Sequence, residues 1–512
     1  MKLNLESISR PSDWAGYELP KFDVSAMVER TKKSPTWLHM GAGNIFRIFV
    51  AAAQQDLLEA GLADTGIIVY EAYDENIVPK SFAPYDNLTL GVTLNADGSI
   101  QKRVIASMAD AFSCNLARLK EVIASPSLQL ISLTITEKGY AVNPETVCAD
   151  PSVAATTIEQ IVSGLLSRFE ASSPPLALVT MDNFAENGAQ LAKSVLAVAE
   201  AWLTAGKVSA EFISYVKSQK FPWTMIDKIT PRPSEDVAKI LAADGYEDTE
   251  ITETEKHTFV ASFVNAEAAK YLIIEDDFPN GRPPLEKAGV YMTDRETVRK
   301  MDQMKVCACL NPLHTILAVS GMLLNYPTIS ACMKDERLVA LLHRAANEAL
   351  PVVPHPGILD PADFLNEVLT ERFPNPFIPD APARIASDTS QKVPIRFGVT
   401  LKERKEKGLP MEELEAIPLF IALWMRYRMG IDDTGAKMDL SPDPRLPEAL
   451  NILYGIPFGK GTEIDLKPIL SNANLFGINL YEAGLGEKIE KLFVELSIRT
   501  GAVSKKLTEW GS

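Results

Sequence analysis

Cysteine and histidine are both scarce in this chain. Its five cysteines, Cys114, Cys148, Cys307, Cys309 and Cys332, are odd in number and scattered over 512 residues. A disulfide framework is therefore not expected, and a reducing, cytoplasmic compartment is. The five histidines, at 39, 257, 314, 343 and 355, show neither HxxxH nor HExxH spacing, and the CxC at 307–309 has no partner pair. With no GxSxG elbow either, the expectation is chemistry without a metal or a serine nucleophile. A basic excess is also missing: 51 Lys plus Arg face 67 Asp plus Glu, a formal net charge of −16. That disfavours nucleic-acid and anionic-membrane surfaces, and leaves any anionic ligand to a few local cations. The strongest apolar runs, TILAVSGMLL at 315–324 and IPLFIALW at 417–424, fall short of the roughly 18–20 residues of a membrane span and read as buried helices. The amino terminus, MKLNLESISRPSDW, lacks the apolar core of a signal peptide, so export is not expected.

What is present is 46% hydrophobic content, enough for large cores and two to four domains. TWLHMGAG, IFRIFVAAAQQDLLEAG and GIIVYEAYD read in succession as strand and turn, helix, strand, the βαβ unit of a parallel sheet. LQLISLTIT at 128–136 and LALVTMDN at 176–183 are continuous apolar strands, as expected where both faces are covered. Helical patterns come after them at 153–169 and 188–203. Past residue 297 amphipathic helices dominate. An α/β domain is thus expected over 1–296 and a mainly α-helical domain over 297–512, with DFPNGRPPLEKAG at 277–289 approaching the boundary.

GAGNIF at 41–46 falls where the first strand meets the first helix. Gly41 suits a tight turn, Gly43 lets a pyrophosphate approach the backbone, and Asn44 opens the helix whose free N–H groups favour an anion. Phe46 stands where a third glycine is usual, and an ordinary strand-to-helix connection is the alternative. Glu71 and Asp74, ending the next strand, are the acids able to accept from an adenosine ribose, which favours NAD over NADP; solvated loop acids look the same. Lys305, Asn311 and His314 are polar intruders in an apolar stretch, with Asn311 and His314 on one helix face. Pro312 predicts a helix start there with Asn311 as its cap. A buried lysine is a usable acid or base; a lysine snorkelling at a domain edge and a satisfied core histidine are the bland readings. Asp182 and Asn183 end one strand, and Asp227 with Lys228 ends another. Arg372, Arg384, Lys392 and Arg396 lie in a proline-rich stretch, where cations meet an anionic ligand or merely solvent.

Taken together, TITEKGY at 134–140, MDN at 181–183, TMIDKITPRP at 224–233, the lysine, asparagine and histidine at 305–314, and RIASDTSQK at 384–392 resemble the polyol-specific long-chain dehydrogenases. That group includes mannitol 2-dehydrogenase, fructuronate reductase (D-mannonate oxidoreductase) and tagaturonate reductase. The resemblance covers most of the chain and implies a Rossmann-type domain followed by a helical substrate domain. It implies NAD-dependent exchange of hydride with a sugar acid or polyol, with Lys305 as general acid/base and Asn183, Asn311 and His314 beside it. Gly41, Gly43, Asn44, Phe46, Glu71, Asp74 and Asp227 would serve the cofactor, and Arg384, Lys392 and Arg396 the substrate. The lysine-to-asparagine spacing is one residue longer than is common in mannitol dehydrogenases, and their VDR reads here as Ile226-Asp227-Lys228. PNPFIPDAPARIASDTSQKVPIRFG is similar to the mannonate oxidoreductase branch, which implies interconversion of D-fructuronate and D-mannonate in hexuronate catabolism. Mannitol 2-dehydrogenase, tagaturonate reductase and an NADH-sensing regulator without catalysis remain alternatives.

Overall fold

The computed structural model describes residues 1–148, 150–378 and 380–511. Pro379, inside the proline-rich stretch, lies outside the described residues. Two compact units divide the chain, Met1–Arg299 and Lys300–Ser512.

The first unit is built on five parallel strands, β1 (Trp37–Met40), β2 (Ile67–Glu71), β3 (Met108–Ser113), β4 (Leu130–Leu133) and β5 (Ala177–Thr180), in the order β3-β2-β1-β4-β5. Their largely apolar character suits burial on both faces. Trp37, Ile67, Val69, Leu130 and Val179 join one core with Phe46, Val50 and Leu57 of the α1 region (α1, Ala51–Glu59). Alternate residues, Leu38, Met40, Ile68, Ile131 and Leu178, join the other with helices α2 (Leu116–Ala124), α3 (Thr157–Glu170) and α4 (Asn187–Thr204). The chain thus leaves β1 for one face and β4 for the other, and winding reverses between these neighbours. Such a reversal opens a crevice beyond the carboxyl ends of the two strands, where open α/β sheets bind ligands.

Two three-stranded sheets complete the unit, beside a short antiparallel pair of Thr252–Glu253 with Phe259–Val260. One joins the hairpin Thr89–Leu94 and Ile100–Ile105 to Phe263–Glu267; the other joins Thr224–Asp227, Tyr271–Glu275 and Tyr291–Thr293. Asp227 therefore ends a strand outside the main sheet, opposite Tyr271.

The second unit is helical. Helix α5 (Arg295–Met304) runs into a π-helical turn, Lys305–Cys309, and then into α6 (Asn311–Leu323). Joined, these exceed the short apolar run seen in the sequence: Arg295–Leu323 is long and apolar enough to cross a membrane, but 78% of its apolar window is buried inside the protein, the mark of a core helix. Helix α7 (Glu336–Ala349) and helix α8 (Ala416–Tyr427) pack on α6. Every residue of α8 is buried, as a helix apolar on all sides requires.

Candidate active site

At the end of β1 the backbone turns through Gly41 at φ +108°, and a Cβ there would lie 2.3 Å from the carbonyl oxygen of Thr134 beyond β4. Only glycine fits so close an approach at that φ. A Cβ on Gly43 would meet nothing within 4 Å, so its backbone faces open space. The helix begins at Asn44, and its first N–H groups have no partner within the helix. Phe46 points elsewhere: fully buried, it stacks on His39 with ring centroids 3.9 Å apart. The ring fills the strand-to-helix contact that a third glycine would leave close-packed, so only the backbone of Phe46 is available to a cofactor. Burial pushes the imidazole of His39 down to about 3, and its nitrogens bond the hydroxyls of Ser132 and Thr134 at 2.6 and 3.0 Å.

Glu71 and Asp74 have duties the sequence did not disclose. Glu71 accepts from the backbone N–H of Ala42 at 2.8 Å and from those of Tyr73 and Asp74 at 2.8 and 3.1 Å. Asp74 accepts from the Thr254 hydroxyl at 2.6 Å and the N–H of Asn76 at 3.2 Å. Both are buried. Their carboxylates are engaged by backbone N–H groups of their own loop, and Glu71 also by the glycine turn at Ala42 and Asp74 by Thr254.

At the end of β5, Asp182 joins two of the sequence motifs. It accepts from the N–H groups of Ile135 and Thr136 at 2.8 and 3.0 Å and from the Tyr140 hydroxyl at 2.6 Å. Burial raises its carboxyl, against the pull of these hydrogen bonds. The bonds hold Thr136 at φ +63°, a conformation costly for a β-branched residue and one that such sites retain. Asn183, next in sequence, is exposed. Lys228 donates to the carbonyl oxygens of Glu267 and Ala269 at 2.7 and 3.3 Å, tying Asp227's strand end to its neighbours.

In the second unit, Lys305 is 1% exposed on the π-helical turn, closed by the Leu310 N–H to the Lys305 carbonyl at 3.2 Å. Asp302 lies one turn earlier. Burial raises its carboxyl toward the neutral form, and the Lys305 ammonium opposes this. The helix cap differs by one residue from expectation: Leu310 is the cap, without a side-chain bond, and Asn311 is the first residue of α6. The Asn311 side chain is thereby released from capping. The backbone carbonyl of Asn311 accepts from Arg396 Nη1 at 3.1 Å and from the Thr315 hydroxyl at 3.0 Å.

His314 Nε2 lies 3.1 Å from Asp380 Oδ2. Asp380 also takes Arg384, through Nε at 2.8 Å and Nη2. Burial raises Asp380, yet the bonds from His314 and Arg384 win and hold it below the usual carboxylate range; burial holds His314 below its ordinary value. The pair is therefore a neutral imidazole donating from Nε2 to a carboxylate, which makes Nδ1 an acceptor. Lys392 donates to the carbonyl oxygens of Ile385 and Ser387 at 2.8 and 2.5 Å, and burial with the nearby Arg396 pushes it down to about 8. Arg372 is buried. Asp302 and Asp380 are the residues sequence reasoning missed; their signals were acids three before Lys305 and four before Arg384. Among the described residues no group of three or more His, Cys, Asp or Glu is placed to hold a metal ion.

A parallel sheet reversing beside a glycine turn, followed by a helical unit, is the architecture expected of a nicotinamide-dependent dehydrogenase of the two-unit type, and the chain's relatives place it in that class. Two family models match the chain, the mannitol dehydrogenase Rossmann domain over 35–287 and the mannitol dehydrogenase C-terminal domain over 297–493. The chain belongs to the mannitol dehydrogenase family. It is 48% identical to a D-mannonate oxidoreductase of Thermotoga maritima over 99% of both chains. It is 29% identical to a mannitol 2-dehydrogenase of Cereibacter sphaeroides, covering 82% of this chain and 85% of that one. Among solved structures, mannitol 2-dehydrogenase of Pseudomonas fluorescens with NAD and D-mannitol aligns at TM-score 0.72 and 25% identity over 99% of both chains. A D-sorbitol dehydrogenase aligns at TM-score 0.81 and 22% identity over 100% of both.

Proposed function

We propose that this chain is an NAD-dependent oxidoreductase interconverting D-fructuronate and D-mannonate. The observation that carries the reading is its 48% identity, end to end, to a D-mannonate oxidoreductase. The glycine turn fits a dinucleotide: Gly41 makes the turn, the open backbone at Gly43 and the helix start at Asn44 and Phe46 suit a pyrophosphate, and Glu71 fixes that turn from behind. Asp74 and Asp227 complete the proposed cofactor-facing set, Asp74 through the loop it braces. When bound, NAD(H) supplies the hydride exchanged with the secondary carbon of the substrate.

The chain's own residues do the rest. In the reducing direction the Lys305 ammonium gives one proton to the oxygen of the substrate ketone as that oxygen becomes an alkoxide, and the product is the alcohol. Asn311 donates an amide N–H bond to the same oxygen, stabilising the charge that develops there, and Asn183 is the first unit's amide donor for the substrate. His314, with Nδ1 as acceptor, takes a hydrogen bond from a neighbouring substrate hydroxyl. Arg384, Lys392 and Arg396 serve the sugar acid, Lys392 chiefly by holding the loop at 385–387 in shape. A cytoplasmic location accords with this reading and is checked by cell fractionation.

The test is NADH oxidation with D-fructuronate, D-tagaturonate and D-fructose in parallel. Fructuronate is expected to give the highest kcat/KM. Fructose as the best substrate would instead make the chain a polyol dehydrogenase, and NADH binding without turnover of any sugar would make it a sensor.

A further inference from the structure

The segment from Asp380 to Arg396 offers three cations to a substrate, and their charges are handled in three ways. Arg384 is compensated by Asp380, which it grips through two nitrogens. Lys392 points two of its N–H groups at backbone carbonyls. Arg396 has no counter-ion: Nη1 donates to two neutral oxygens, those of Asn311 and Thr315, and among the described residues no carboxylate is in ion-pair reach. The group that favours its charge is the Cys307 thiol, which burial pushes up to about 12 and leaves uncharged at neutral pH, while the nearby Lys392 and His314 carry no negative charge.

A guanidinium taken out of water without a partner is costly, and the same desolvation strengthens its attraction for an incoming anion. Burial pushes Arg396 down to about 10, the signature of that unmet demand. The Nη1 bonds fix the group to the first turn of α6, the helix that carries Asn311 and His314. Nε and Nη2 have no hydrogen bond among the described residues, and this edge is the fork that receives a carboxylate in two parallel bonds.

We propose that Arg396 binds the carboxylate of the sugar acid and is the residue by which the chain selects a sugar acid over a neutral ketose or polyol. The inference rests on the function proposed above and adds which cation meets the acid. Arg384, already neutralised, is left to hydroxyl groups. With a net charge of −16, anion binding falls to a few local cations such as this one.

The experiment compares the full chain with Arg396→Met and Arg396→Lys, measuring kcat/KM for D-fructuronate and for D-fructose, with NADH affinity by fluorescence quenching as the check on folding. In Arg396→Met the fructuronate-to-fructose ratio is expected to fall about 10- to 100-fold, the scale of a lost hydrogen bond between charged groups, mostly through KM for fructuronate. Arg396→Lys keeps the charge without the fork and lowers the ratio several-fold; it carries the test alone if the methionine variant does not fold. Equal losses on both sugars, with the ratio unmoved, overturn the inference and assign Arg396 to holding Asn311 in place. A wild-type chain that prefers fructose, or reduces neither sugar, removes the proposed function and this inference with it.

Discussion

Lys305 and His314 are polar groups that the chain has enclosed at a cost, and each has an acid at its side. Replacing Lys305 by alanine is expected to lower turnover by at least about 100-fold, the usual scale for a lost general acid or base, while NADH affinity changes little. Unaltered turnover would take the lysine out of its role. Asp380 is a positioning residue that acts through His314 and Arg384. Asp380→Asn leaves the volume but lets the amide donate to Nε2, which moves the imidazole proton to Nδ1. We expect kcat/KM to fall about 10- to 100-fold and the acidic limb of the pH profile to shift, with Asp380→Glu recovering part of the loss; a parallel loss across all pH values would mean a merely structural residue. Lys305, Asn311 and His314 were legible because they interrupt an apolar pattern. Asp380 was not, since an acid in a proline-rich loop carries no pattern of its own, and its histidine lies on a helix far off in sequence.

The two glycines of the first turn separate packing from binding at the scale of one element. Gly41→Ala is expected to destabilise the first unit by more than about 1 kcal/mol, from the positive φ alone, and by more again from the collision with Thr134. Gly43→Ala should leave the melting transition nearly unchanged and weaken NADH at least about 10-fold, because its Cβ enters the space the cofactor needs. If Gly43→Ala binds NADH normally, the pyrophosphate lies elsewhere. The strand, turn and helix here were legible from their pattern. The inward turn of Glu71 and Asp74 was not, because a sequence does not record which backbone N–H groups a carboxylate meets first. The hairpin Thr89–Leu94 and Ile100–Ile105 carried a usable sign, the Asp97-Gly98 turn, that the helix-and-strand pattern left aside.

For the molecule as a whole, acid bears on the first unit through His39. His39 has an ordinary value of 6.5 and is held at about 3 when folded. As pH falls below 6.5 the unfolded chain takes up a proton there and the folded chain does not, so stability present above 6.5 is lost progressively toward about 3, at about 1.4 kcal/mol per pH unit. Urea midpoints at pH 7 and 4.5 should therefore differ less in His39→Gln than in the natural chain; equal differences would show that another group sets the acid limit. The broad architecture was readable because hydrophobic periodicity changes character near the middle of the chain. What the periodicity could not convey is the wide turn at Lys305–Cys309, since an extra residue inside a helix leaves the composition as it was. In an uninterrupted α-helix one inserted residue swings everything downstream by about 100°. A π-helical coil closes its hydrogen-bonded ring with one residue more than an α-helical one, so the loosened coil at Lys305–Cys309 has room for an additional residue beside Lys305 before the next helix starts at Asn311.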